Sequence, residues 1–114
     1  MHTIGSFASL LPIVDGLNRK FPTGNLPYQM IVRLCEEAGE LAKEVNHFEG
    51  SGVKVQKYGD PDRAKLANEV RDVICTALSL ARWYGIEREL TDAIDARYEA
   101  LQRDGHVPQE SRGA

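Results

Sequence analysis

Apolar residues recur along this chain at spacings of three and four. That period belongs to helices with one covered face. No segment reads convincingly as a strand, so the pattern predicts an all-α fold of four helices. The first runs from about Ser9 to Lys20, with Ser9 as its cap and Pro12 in the first turn, where a missing N–H costs little. Phe21-Pro22-Thr23-Gly24-Asn25 then breaks the pattern. A second helix starts near Pro27 and runs to about Phe48, and Glu49-Gly50-Ser51-Gly52 ends it. The stretch from Gly50 to Asp60, with three glycines, reads as a mobile loop. Asp60-Pro61 supplies a cap and a first-turn proline for the third helix, which Gly85 stops after Tyr84. The fourth helix runs from about Glu87 to Arg103, and the polar tail 104–114 is expected to fray. The whole chain, 1–114, reads as one domain with its helical core at about 9–103.

Helical wheels add a polar edge to these apolar stripes. With Leu34 of the second helix at zero, Cys35, Ala38, Leu41, Ala42 and Val45 make the stripe. Glu37 and Glu40 then fall at about 300° and about 240°. With Leu66 of the third helix at zero, Val70, Val73, Ile74, Ala77, Leu80 and Ala81 make the stripe. Glu69 and Asp72 fall at about 300° and about 240° again. Each helix thus carries an i, i+3 acidic pair along the same edge of an apolar face. If both stripes enter one core, the pairs face each other across a groove.

The formal net charge is −3, which gives no electrostatic case for a nucleic-acid partner. Much of the negative charge sits in Glu36, Glu37, Glu40 and Glu44. Cys35 and Cys75 fit no metal-site spacing and read as reduced structural thiols. No apolar run approaches the ~20 residues of a membrane span. The start of the chain lacks a basic segment, so no signal peptide is expected and the cytoplasm is the default.

Four carboxylates aimed at one groove need a counter-charge at neutral pH. Arg71 lies elsewhere on the wheel and is not expected to supply it. A hard divalent cation with oxygen ligands does so, Mg²⁺ first and Mn²⁺ as a substitute. Such an ion in a helical groove suggests a phosphate-bearing substrate. The plain alternative for Glu36-Glu37-x-x-Glu40 alone is a solvated acidic face. Glu69 and Asp72 weigh against it, because they interrupt a strongly apolar helix, where charges need partners.

Glu36-Glu37-x-x-Glu40, followed after twenty-eight residues by Glu69-x-x-Asp72, resembles the signature of the MazG-like all-α nucleoside triphosphate pyrophosphohydrolases, relatives of the dimeric dUTPases. The resemblance spans roughly residues 9–103. It implies an oligomeric MazG-type helical bundle, a homodimer or homotetramer. It implies hydrolysis of a nucleoside triphosphate between the α and β phosphates, and a place in nucleotide-pool housekeeping. By the same resemblance Glu37, Glu40, Glu69 and Asp72 are metal ligands, and Glu36 serves a further metal or orients the water.

Basic residues come next. With Ile86 at zero, Arg97 falls at about 20°, in the apolar stripe of the fourth helix. It is either a structural residue with its stem along the core or a phosphate contact. Lys54 and Lys57 in the glycine-rich loop are either solubilising or close on the triphosphate. Thr76, Ser79 and Trp83 continue the polar edge past Asp72, and Trp83 reads best as an interface or core residue. Phe21 and Tyr28 are candidates to line a base pocket, and His47 is assigned no role. Two rivals stand beside the hydrolase. A di-iron carboxylate bundle needs Glu-x-x-His, and none of the four carboxylates is followed by His at that spacing. A catalytically silent helical interaction or regulatory module accounts for the helices without metal dependence.

Overall fold

A computed structural model describes residues 5–50 and 59–109, all of whose regular structure is helical. A short α1 (Gly5–Ala8) precedes α2 (Leu10–Lys20), α3 (Pro27–Phe48), α4 (Arg63–Tyr84) and α5 (Glu87–Arg103). The four long helices match the expected boundaries closely, because proline and glycine punctuate the chain at α3 and α4. Pro27 opens α3 with its φ already helical, and the Gln29 side chain accepts the Leu26 N–H at 3.0 Å. Gly85 takes φ +64° after α4, and Ile86 N–H reaches back to the Ala81 carbonyl at 3.0 Å.

Two local expectations fail. Ser9 flanks α2 in a helical conformation and its side chain makes no cap hydrogen bond, because α1 already runs up to it. The cap of α4 is Asp62 rather than Asp60: Asp62 Oδ1 accepts the Ala64 N–H at 2.9 Å. The tail beyond Asp104 is described as far as Gln109. Gln102 Nε2 donates to the carbonyls of Pro108 and Gln109, each at 3.0 Å, and holds the segment as far as Gln109. Lys54 and Lys57 lie outside the described residues.

The chain divides into two compact units, Met1–Leu80 and Ala81–Ala114. In the first, α3 and α4 run antiparallel: Thr76 hydrogen-bonds Glu37, while Lys65, farther back on α4, pairs with Glu44, farther along α3. Val14 of α2 and Met30 of α3 are 1% and 2% exposed and anchor its apolar core. In the second, an Arg82–Glu87 ion pair at 2.7 Å spans the Gly85 turn, and α5 leaves Ile94 and Leu101 exposed. No described helix is long and apolar enough to cross a membrane.

The faces of α3 and α4 differ from the expected stripes. On α3 the covered positions are Met30, Leu34, Glu37, Leu41 and Glu44, while Cys35, Ala38, Ala42 and Val45 are exposed. On α4 Val70 and Ala77 are exposed, and Cys75 and Thr76 are buried. The reason lies in the wheel itself. Leu34 and Leu41 belong both to the expected stripe and to the acidic edge, and the edge they share with Glu37 and Glu44 is the one turned inward.

Candidate functional site

The groove between α3 and α4 carries two clefts. The first, of about 450 Å³, is open to Glu37 and Asp72 and is walled by Arg33, Thr76, Ser79 and residues of α2 and the turn after it, among them Asn18, Phe21 and Asn25. The second, of about 420 Å³, holds Glu40 and Glu44 of α3 near Lys65 of α4.

Local structure places these side chains. Glu37 lies two turns from Met30 on the covered face of α3, so burying Met30 turns Glu37 inward. Thr76 on α4 is buried opposite and its hydroxyl donates to Glu37. Arg33, one turn before Glu37, donates from Nη2 to the Gly24 carbonyl at 2.8 Å. Gly24 has φ +81°, which glycine adopts without strain, and the bond ties the α2–α3 turn to the cleft wall. Asn25 Nδ2 donates to the Phe21 carbonyl at 2.6 Å and closes the same turn.

The electrostatics of the cleft follow from this burial. Glu37 is held above the ordinary value of 4.5, first by burial, against the Thr76 hydrogen bond, and further by the negative charge of Asp72 and, beyond the opposing Arg33, of Glu69. Burial likewise raises the Cys75 thiol in the cleft wall.

The structure thus places Glu37 and Asp72 on one cleft, with Glu69 near enough for its charge to act on Glu37, and separates the others. Glu40 has its side chain 54% exposed, meets Lys43 at 3.4 Å and lines the second cleft. Glu36 is exposed, as is Arg97 in the second unit. Arg71 is a partner after all: its Nη2 and Nε reach Asp72 Oδ1 at 3.0 and 3.2 Å, because a long guanidinium side chain folds back along its own helix. Phe21 lines the first cleft as expected, while Tyr28 and Trp83 are 65% and 52% exposed. Sequence reasoning passed over Arg33, Asn18 and Glu44. For Glu44 a signal existed: it stands seven residues after Glu37, two turns along one face, and three before His47.

As to metal, the hard carboxylate oxygens of Glu37, Glu69 and Asp72 suit Mg²⁺ in kind. Among the described residues no group of three or more His, Cys, Asp or Glu side chains is arranged to hold an ion. The oxygens suit such an ion in kind but are not gathered to hold one: Glu40 meets Lys43 and Asp72 is engaged by Arg71.

Fold and site together define an all-helical protein with a carboxylate-lined cleft between two antiparallel helices. Over 79 residues, 68% of this chain and 68% of the relative, it is 34% identical to the uncharacterized protein YpjD of Bacillus subtilis (strain 168), and the chain belongs to the family of that protein. No protein-family model matches the chain, and no solved structure matches it.

Proposed function

We propose that the chain hydrolyses nucleoside triphosphates between the α and β phosphates, releasing nucleoside monophosphate and pyrophosphate. The observation that supports this reading best is the first cleft. It joins an acidic end, Glu37 and Asp72 with Glu69 near, to an end of aromatic and amide character at Phe21, Asn18 and Asn25. A triphosphate needs the first end and a nucleoside suits the second.

Glu37, Glu69 and Asp72 would hold Mg²⁺, with Glu40 joining if it leaves Lys43. When bound, the ion neutralises phosphate charge and lowers the pKa of a water. The chain supplies the rest. The Thr76 hydroxyl fixes the Glu37 carboxylate. Burial gives Glu37 a stronger hold on a proton than an ordinary carboxylate while no ion is bound, so taking up the ion would release that proton. Arg33 brings positive charge to the cleft wall, where phosphate oxygens gather it. Lys54, Lys57, Arg97 and Glu36 keep substrate or water roles on the resemblance alone. A homodimer or homotetramer in the cytoplasm completes the proposal. Its support is the exposed stripe of α3, Ile31, Cys35, Ala38, Ala42 and Val45, which a second copy would cover.

The same stripe favours a second reading, an interaction module without turnover. The test is pyrophosphate release from a panel of NTPs and dNTPs, with Mg²⁺ and with EDTA. Mg²⁺-dependent monophosphate and pyrophosphate support the hydrolase. Release of phosphate and diphosphate moves the cleavage point and sinks it. No product from folded protein leaves the module.

A further inference from the structure

Helix α5 carries an apolar arc that nothing buries. With Ile86 at zero, Leu90, Ile94, Arg97 and Leu101 fall between about 20° and about 80°, and Ala93 and Ala100 between about 320° and about 340°. No residue of α5 is buried, and Ile86, Ile94 and Leu101 are 42%, 60% and 38% exposed. Gln102, which holds the tail, falls at about 160°, off the arc. A helix draws most of its stability from packing its apolar face, so an open arc along the 17 residues of α5 calls for a cover.

The edge of the arc points to what covers it. Glu89 falls at about 300° near the start of the helix, and Arg103 at about 260° in its last turn. One edge therefore carries opposite charges at its opposite ends. Glu87, on the other edge, is already held by Arg82. An antiparallel copy of the same helix meets both ends at once: Glu89 of each chain faces Arg103 of the other. A parallel copy sets Glu89 against Glu89 and Arg103 against Arg103. The antiparallel contact is self-complementary, as a two-fold axis requires, and the axis passes near the middle of the helix beside Ile94. The small side chains of Ala93 and Ala100 let the two helices approach. Arg97 lays its stem across Ala93 of the second copy and carries its head toward Glu89 there.

We propose that α5 pairs antiparallel with α5 of a second copy of this chain. One such pair is a small contact and is weak between single chains. Two of them close together when two dimers paired through the α3 stripe meet, which multiplies their strength. The inference thus rests on the homo-oligomer proposed above. It makes that oligomer a homotetramer with two kinds of contact, α3 on α3 and α5 on α5.

The experiment measures the mass of the full chain by light scattering at one fixed concentration, with circular dichroism to check folding. Wild type is expected at the homotetramer mass. Ile94→Glu puts a charge beside the axis and should weaken the α5 contact by about tenfold or more, leaving the homodimer. Glu89→Arg and Arg103→Glu each set like charges together and should leave the homodimer too. Combined in one chain they restore opposite charges, and the homotetramer should return, a recovery that damage to the fold does not give. If Ile94→Glu does not fold, the two exposed charge reversals carry the test. Wild type at the homodimer mass, or a homotetramer kept in all three single variants, overturns the α5 contact and leaves the α3 homo-oligomer standing. A double reversal that stays a homodimer overturns the antiparallel pairing. Wild type at the single-chain mass removes the homo-oligomer and this contact with it. Pyrophosphate release is not read here, so the hydrolase reading stands or falls separately.

Discussion

Helices α3 and α4 each have two sides that depart from the usual order of a water-soluble helix in opposite directions. Their inner side carries charge: Glu37, Glu44, Glu69 and Asp72 are buried or half-buried there beside Met30, Leu34 and Leu41. Their outer side carries the apolar stripe: Ile31 is 44% exposed, Val45 45% and Val70 41%. An isolated chain chosen only for stability would put these the other way round. Each side is incomplete in its own way. The inner side holds a carboxylate, Glu37, whose charge burial disfavours, and the outer side lacks a cover. On the proposed reading the covered carboxylates would serve a ligand and the exposed aliphatics a second copy of the chain.

The largest expected effect breaks the inner side. Glu37→Gln removes the carboxylate that burial and its neighbours strain most. Turnover should fall by about 10²–10³-fold, the scale for losing one group that stabilises developing charge. Thermal stability in EDTA should rise, because a repelling charge is gone. Steady-state kinetics and a melting curve on one preparation check both. Wild-type turnover would place the chemistry outside this cleft.

Two truncations set the sides against each other. Met30→Ala removes a side chain that is 2% exposed and should cost about 2–5 kcal/mol in denaturant titrations. Val45→Ala on the outer side should cost only about 0.5 kcal/mol if water covers Val45. If a second copy covers it, the cost grows and the midpoint depends on protein concentration. Ala38→Glu sharpens the point, since a charge in the middle of the stripe should shift the mass in light scattering to that of the single chain.

Much of this contrast was legible in the residues, and what was hidden has physical causes. Pro27, Gly85 and the Phe21–Asn25 breakers act locally, so helix boundaries follow from them. Ser9 and Asp60 misled because several capping residues stand near each start and only backbone geometry selects one. The phase of α3 was hidden for a different reason. Its wheel has two edges that share Leu34 and Leu41, and which edge turns inward depends on α2 and α4, not on α3. That choice carried Glu44 into the interior and left Glu40 outside. It also explains why an i, i+3 motif drew attention to Glu40 while the i, i+7 partner of Glu37 went unread. Arg71 was hidden by side-chain length, which a wheel of Cβ directions ignores.

Glu40→Gln tests that choice with a smaller effect. Glu40 is half exposed and paired with Lys43, a pair worth about 0–1 kcal/mol. The change should leave stability nearly untouched and lower turnover far less than Glu37→Gln. Equal losses in the two variants would mean that Glu40 turns inward when substrate binds.

The smallest effect is in pH, and its sign is diagnostic. Glu37 has its carboxyl raised above 4.5 in the folded chain, by burial first. A raised acid favours its neutral form on folding. The stability it contributes is complete below the unfolded value and is lost as pH rises through the folded one. In EDTA, therefore, wild type should gain melting temperature relative to Glu37→Gln as pH falls from 7 toward the ordinary carboxylate range. With Mg²⁺ present the gain should shrink or reverse, since a bound cation favours the ionised carboxylate. A wild type that loses melting temperature relative to Glu37→Gln on acidification in EDTA would mean that Arg33 and the Thr76 hydroxyl already satisfy the Glu37 charge. The inner side would then need no ion, and its contrast with the outer side would reduce to one uncovered apolar face.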